Sequence, residues 1–273
     1  MTLSAAAATA SALSRVIPGG GRHSLRMVER NLMVFRHGGW LVILSGFFES
    51  LLYLVGIGFG VGALVGNVTQ GGVTTRYAVF VAPALMASSA MNGAVNETTF
   101  NMFYKLRYAK LYDAVLSTPL GIVDIALGEV LWALMRGLSY VIGFIVVMAA
   151  LGLVVSPWAV FAVPAALLIS VAFAGAGVAT TSFMKTWQDF AAVQLVVLPL
   201  FLFSATFYPL TSYSPPFRVI VELTPLYHGV HLLRGLTTGA VGPDMLLDVV
   251  YLLALGVAGI LIASRRLERQ LLR

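Results

Sequence analysis

Cysteine is absent from this chain, which excludes a disulfide framework, a thiolate metal site and a cysteine nucleophile. Charge is nearly as scarce. Only 10% of the 273 residues are Asp, Glu, Lys or Arg, against roughly a quarter in soluble domains. A soluble fold of this length must cover itself with polar side chains, and 11 acids with 17 bases are too few to do so. The sequence also lacks a GxxxxGK[ST] phosphate loop, an HExxH motif and any Ser/His/Asp arrangement. No catalytic, cofactor or metal residue is therefore assigned, and ATP hydrolysis by this chain alone is excluded. What is plentiful is apolar: 59% of residues are hydrophobic and the mean hydropathy is +0.91. The solvent this composition implies is lipid.

A membrane helix needs about 20 predominantly apolar residues to cross ~30 Å of hydrocarbon. Six runs qualify, over residues 38–65, 77–99, 122–153, 158–183, 190–210 and 245–264. The expected fold is thus an all-α polytopic membrane protein with six transmembrane helices. Basic residues beside membrane segments are retained on the cytoplasmic side. Placing both termini there puts Arg15, Arg22, Arg26, Arg30 and Arg36, then Lys105, Arg107 and Lys110, then Lys185, and finally Arg265, Arg266, Arg269 and Arg273 inside. Only Arg76, Arg218 and Arg234 fall outside. The pI near 9.8 is then topology, with anionic lipid headgroups and not nucleic acid as the contact. Residues 1–21 read as a mobile cytoplasmic tail, a poor signal peptide because no basic start precedes the apolar stretch. Residues 22–36 carry Leu25, Val28, Leu32 and Phe35 on one arc and arginines on another, the pattern of an interfacial amphipathic helix. Residues 37–273 form one transmembrane domain on this reading.

Polar groups inside the spans carry the functional information, because an ionised side chain at mid-bilayer costs roughly 2.5–3.5 kcal/mol on insertion scales. Four intramembrane charges stand out: Glu49, Glu97, Glu129 and Arg136. Glu129 and Arg136 share a helical face two turns apart, too far to bond each other. Arg136 therefore needs a partner on another helix, and Glu49 is the first candidate. A structural ion pair is favoured over a substrate contact. Gly56, Gly58, Gly60 and Gly62 superficially resemble a nucleotide fingerprint but lie in an apolar helix, so close helix approach is the better reading, as for Gly175 and Gly177. His228 and His231 share a face near Glu222, for which a structural role is preferred to a metal site. Asn67-Val68-Thr69 reads as a polar turn.

Two segments outside the spans are too patterned for plain loops. The inner loop, about 103–119, interleaves Lys105, Arg107 and Lys110 with aromatic and apolar residues before Pro119, which suits a short cytoplasmic helix facing a protein partner. The outer stretch, about 212–240, has two short apolar pieces split by Pro225 and suits a re-entrant hairpin. No span shows a continuous polar stripe, which weighs against an ATP-independent channel. A membrane transferase would need clustered acids or histidines at one face, which are not found.

The order of these features resembles the permeases of ABC-2 type exporters, nearest the branch exporting lipo-oligosaccharides such as nodulation factors, with antibiotic-efflux permeases next. The likeness rests on Glu49 to Leu54 and the following glycines, Ser88-Ser89-Ala90-Met91 leading to Glu97-Thr98, Thr118-Pro119-Leu120 followed by Gly128-Glu129, and Phe203 to Leu210 with Pro225-Leu226 and Leu233-Arg234 downstream. It implies a permease of a bacterial cytoplasmic membrane that pairs with a second copy or a paralogue. It also implies two cytoplasmic ATPase subunits, which use the ATP and Mg²⁺. The loop residues Tyr104, Lys105, Arg107, Tyr108, Lys110, Tyr112 and Asp113 would couple to that ATPase, and Tyr53, Tyr140, Phe144 and Phe207 would line the path. Three departures stand out: Ser50 where proline is common, Ala205 where glycine is common, and Tyr108, Ala109 and Lys110 where Gly and Glu usually follow the loop arginine.

Overall fold

A computed structural model of the chain describes residues 23–36, 48, 51–70 and 73–271. Ten helices, one small hairpin and a separate 3-10 turn (Leu210–Ser212) follow in order among these residues. Helix α1 (Ser24–Arg36) lies along α5 (Ile122–Ala150), burying Met27 and Val28 and stacking Phe35 edge-on against Trp132 at 5.6 Å. Leu25, expected on its apolar face, points outward instead. Gly128 is where α1 comes closest, its α-carbon facing the Met27 side chain. Asp124 fastens the crossing by accepting from the backbone N–H of His23 at 3.1 Å and of Gly121 at 2.9 Å.

Helix α2 (Leu51–Val65) is the described part of the first expected span, and its Leu54–Val61 stretch is π-helical. Gly58 and Gly62 face Ala78 and Tyr77, while an added methyl group at Gly56 would meet nothing. The turn expected at Asn67 proves to be an antiparallel hairpin, β1 (Asn67–Gln70) with β2 (Val73–Arg76), in which Asn67 pairs with Arg76. Helix α3 (Tyr77–Tyr108) follows at once and is the most enclosed element, with small residues Ala82, Ala84, Ala87, Ala90 and Ala94 fully covered by its neighbours. It runs past the expected end at residue 99, through a π-turn at Glu97–Asn101. The inner loop is therefore not one helix. The end of α3 and a separate α4 (Leu111–Leu116) meet at Lys110, which adopts a left-handed φ of 45°.

Helices α5 and α6 (Pro157–Phe183) form the tight hairpin expected from the sequence. Helix α10 (Met245–Leu271) packs closely on α6, with Gly175 set directly against the backbone of Gly256 and Gly259. This is the close approach the small residues of α6 imply. Helix α7 (Trp187–Phe203) ends earlier than the expected 210, because Ser204 leaves the helical region and Ala205 takes a left-handed φ of 55°. Glycine enters that region without penalty, whereas an L-residue costs roughly 1–2 kcal/mol there.

The stretch after α7 forms two helices, α8 (Pro215–Glu222) and α9 (Pro225–Thr238), divided as Pro225 suggests. Arg234 on α9 is buried and stitches three elements together. Its Nε donates to the Phe80 carbonyl at 3.1 Å, its Nη2 donates to the Ala205 carbonyl at 2.9 Å, and its guanidinium lies over the Phe80 ring. The Thr237 carbonyl then accepts from Val155 and Ser156, docking α9 on the α5–α6 turn. Among the described residues, four helices, α3, α5, α6 and α10, are long and apolar enough to cross a membrane, and α2 and α7 are shorter apolar helices.

Candidate functional site

The π-turn in α3 opens the helix at the position where polar residues accumulate, and π-turns inside α-helices frequently mark functional sites. Beside it lies a cleft of about 640 Å³ between α2, α3, α5 and α7. One wall is a polar stripe along α3: Ser88, Ser89, Asn92, Asn96, Glu97 and Asn101. The facing wall comes from α7, with Gln194 among Val197, Leu198 and Phe201. Spacings of three and four residues bring the serines and asparagines onto one helical face, so α3 carries a polar stripe where none was expected in any span.

Arg136 closes one side of the cleft and makes its partner clear. Its Nη1 donates to Glu97 Oε2 and its Nη2 reaches Tyr140 Oη at 3.2 Å, while Asn101 donates to the same Glu97 oxygen at 2.8 Å. Glu97 on α3, not Glu49, is thus the counter-ion; Glu49 lies outside the described residues. Spacing along α5 identified the need for a partner helix but could not say which helix neighbours it. Tyr53 and Tyr140 line the cleft. Phe144 is instead enclosed in the core, and Phe207 sits one ring behind the wall, edge-on to Phe201 at 5.1 Å.

The inner-loop residues separate into four sets. Lys105 and Tyr112 turn inward to the fully buried Glu129, donating to its two oxygens at 2.7 and 3.0 Å. Tyr104 and Tyr108 stack on each other beside Trp187, at the foot of the cleft. Arg107 donates to the Met184 carbonyl at 3.0 Å, which ties the end of α3 to the α6–α7 turn. That turn is itself braced by Asp189, which accepts from the N–H groups of Lys185 and Thr186 at 2.7 and 3.0 Å. These donors hold the Asp189 carboxyl below the usual carboxylate range. Lys110 and Asp113 remain exposed at the tip.

A second polar cluster escaped sequence reasoning. His228 and His231 each place Nδ1 2.7 Å from an oxygen of Asp248 on α10, so the acid that holds them is Asp248 and not Glu222. Asp248 is the fourth residue of its helix, where it reads as an ordinary first-turn acid. Among the described residues no group of His, Asp and Glu is arranged to hold a metal ion.

The ABC-2 type transporter family matches this chain over residues 24–237. Nodulation protein J of Rhizobium leguminosarum bv. trifolii is 31% identical over 258 residues, covering 94% of this chain and 97% of that protein. Nodulation protein J of Rhizobium leguminosarum bv. viciae is 29% identical over 258 residues, with 94% and 98% covered. That of Rhizobium meliloti (strain 1021) is 28% identical over 257 residues, with 94% and 97% covered. The match takes in α1 through nearly all of α9, and so every element that builds the cleft.

Proposed function

Because the chain belongs to the ABC-2 type transporter family and is a multi-pass membrane protein, we propose that it is the permease subunit of an ATP-driven exporter. Its substrate is an amphipathic molecule with a saccharide head, moved outward across the cytoplasmic membrane of a bacterium. The observation that carries this reading is the cleft. Amides and hydroxyls on α3 face aliphatic and aromatic side chains on α7, so a single cavity serves both halves of an amphipathic substrate. A polar head leaving water needs replacement hydrogen bonds, and Asn92, Asn96 and Gln194 supply them. Helix α7 forms a wall yet buries none of its own residues, and Leu195 on it is 77% exposed. A second permease covers that face and completes the route.

Energy enters through the tip around Lys110 and Asp113, seated on an ATPase subunit. Motion at the tip reaches the bundle through Tyr112 and Lys105, both held by Glu129. Lys110→Glu is the clean test, since Arg107 also braces the α6–α7 turn. The expected result is several-fold weaker co-purification with the ATPase and a matching loss of ATP-dependent substrate accumulation in inverted vesicles. Undiminished association with undiminished transport would sink the proposed coupling role of this loop.

A further inference from the structure

A second cavity, of about 570 Å³, opens beside the first, lined among the described residues by Phe100, Asn101, Tyr104, Tyr108 and Trp187. Its composition is unusual for a chain this rich in aliphatic residues. Four of the five lining side chains are aromatic, the fifth is an amide, and none is aliphatic. Tyr104 and Tyr108 lie nearly parallel, 6.1 Å apart at 15°, and Trp187 stands edge-on to Tyr108 at 5.6 Å. All four rings are substantially exposed, from 42% for Trp187 to 60% for Tyr108. Phe100 and Asn101 line both cavities, so the cup adjoins the cleft.

We propose that this aromatic cup is the loading station where a pyranose ring of the substrate's saccharide head stacks before moving into the cleft. The proposal rests on the exporter reading for its direction of travel. A pyranose has apolar C–H faces and a polar rim of hydroxyls, which is the pairing that flat rings above an amide provide. An acyl chain would be served by aliphatic walls, and these begin only further on, at Leu85, Val197 and Leu198 of the cleft. The saccharide end therefore leads. Asn101 relays the arrival, because its amide already donates to Glu97, the counter-ion of Arg136. Ring positions are fixed from behind by buried Phe103, which packs on Trp187 at 5.6 Å.

The test uses the permease–ATPase complex in lipid nanodiscs and a soluble tetrasaccharide of N-acetylglucosamine, whose hydroxyls and acetamides suit the amide floor. Binding is followed by calorimetry and by tryptophan emission. The expected result is saturable binding that changes Trp187 emission, with the optical change but not the heat lost in Trp187→Phe. Tyr108→Ala weakens binding by about tenfold, the worth of one aromatic contact, and Tyr108→Phe restores it. Equal affinity of wild type and Tyr108→Ala, or no saturable binding at all, overturns the proposal. So does a Tyr108→Ala protein that binds the sugar normally but no longer retains the ATPase, which would make the cup a subunit seat. Wild-type transport in inverted vesicles reports separately on the exporter reading. Transport without binding at the cup removes this inference alone, and binding without transport removes the exporter reading alone.

Discussion

Arg136→Ala is expected to cost about 3–5 kcal/mol, because it strands the Glu97 carboxylate inside the bundle with only Asn101 to satisfy it. The readout is folded yield and Tm of the detergent-purified permease. Removing both charges together should cost far less, since two uncharged side chains leave no buried ion unpaired. Glu97→Gln with Arg136→Met is therefore expected to recover most of the lost yield. That double variant also separates two roles the cleft gives this pair. Recovered folding with normal transport means the ion pair only fixes α3 against α5. Recovered folding with altered transport means that the charges, which line the cavity, also meet what passes through it. An Arg136→Ala protein as stable as wild type would contradict the geometry outright.

Glu129→Ala has the second large expected effect. It releases Lys105 and leaves the hydroxyl of the fully buried Tyr112 without its acceptor. An unsatisfied buried polar group costs about 1–3 kcal/mol, which corresponds to a loss of about five- to 150-fold in an equilibrium that depends on it. ATPase activity of the complex should then continue while transport per ATP falls. Glu129→Gln keeps an acceptor for Tyr112 and should retain more coupling than the alanine variant. Equal transport per ATP in Glu129→Ala and wild type would remove Glu129 from the transmission path.

The apolar runs and their order were legible because each depends on local composition. Helices α3, α5, α6 and α10 lie where the runs place them, and Pro225 divides α8 from α9 as a residue without an N–H should. The partner of Arg136 was not legible. Which helix faces α5 is settled by packing over distant sequence, and the Glu97–Arg136 contact joins residues 39 apart. The π-turn hid the rest. A single inserted residue shifts the phase of α3, so its last turns face differently from what a regular helix would give. The stripe of Ser88, Ser89, Asn92 and Asn96 is legible from its spacing of three and four residues, but it carries no charge to mark it. Asp248 was hidden for another reason: its histidine partners sit on α9, and nothing in the sequence places α9 against α10.

Of the described non-glycine residues, only Lys110 and Ala205 have positive φ. At each the chain must turn sharply, once at the loop tip and once where α7 breaks.

If the cleft is the route of transport, its wall meets water and substrate, and the lack of native cysteine makes that directly measurable. Single-cysteine variants Asn92→Cys, in the cleft, and Val257→Cys, on the exposed face of α10, are labelled with a membrane-impermeant maleimide in the assembled complex. Asn92→Cys is expected to react faster than Val257→Cys, at a rate that changes when ATP is bound. Equal, slow labelling at both positions, indifferent to ATP, would show that water and substrate do not pass along this wall.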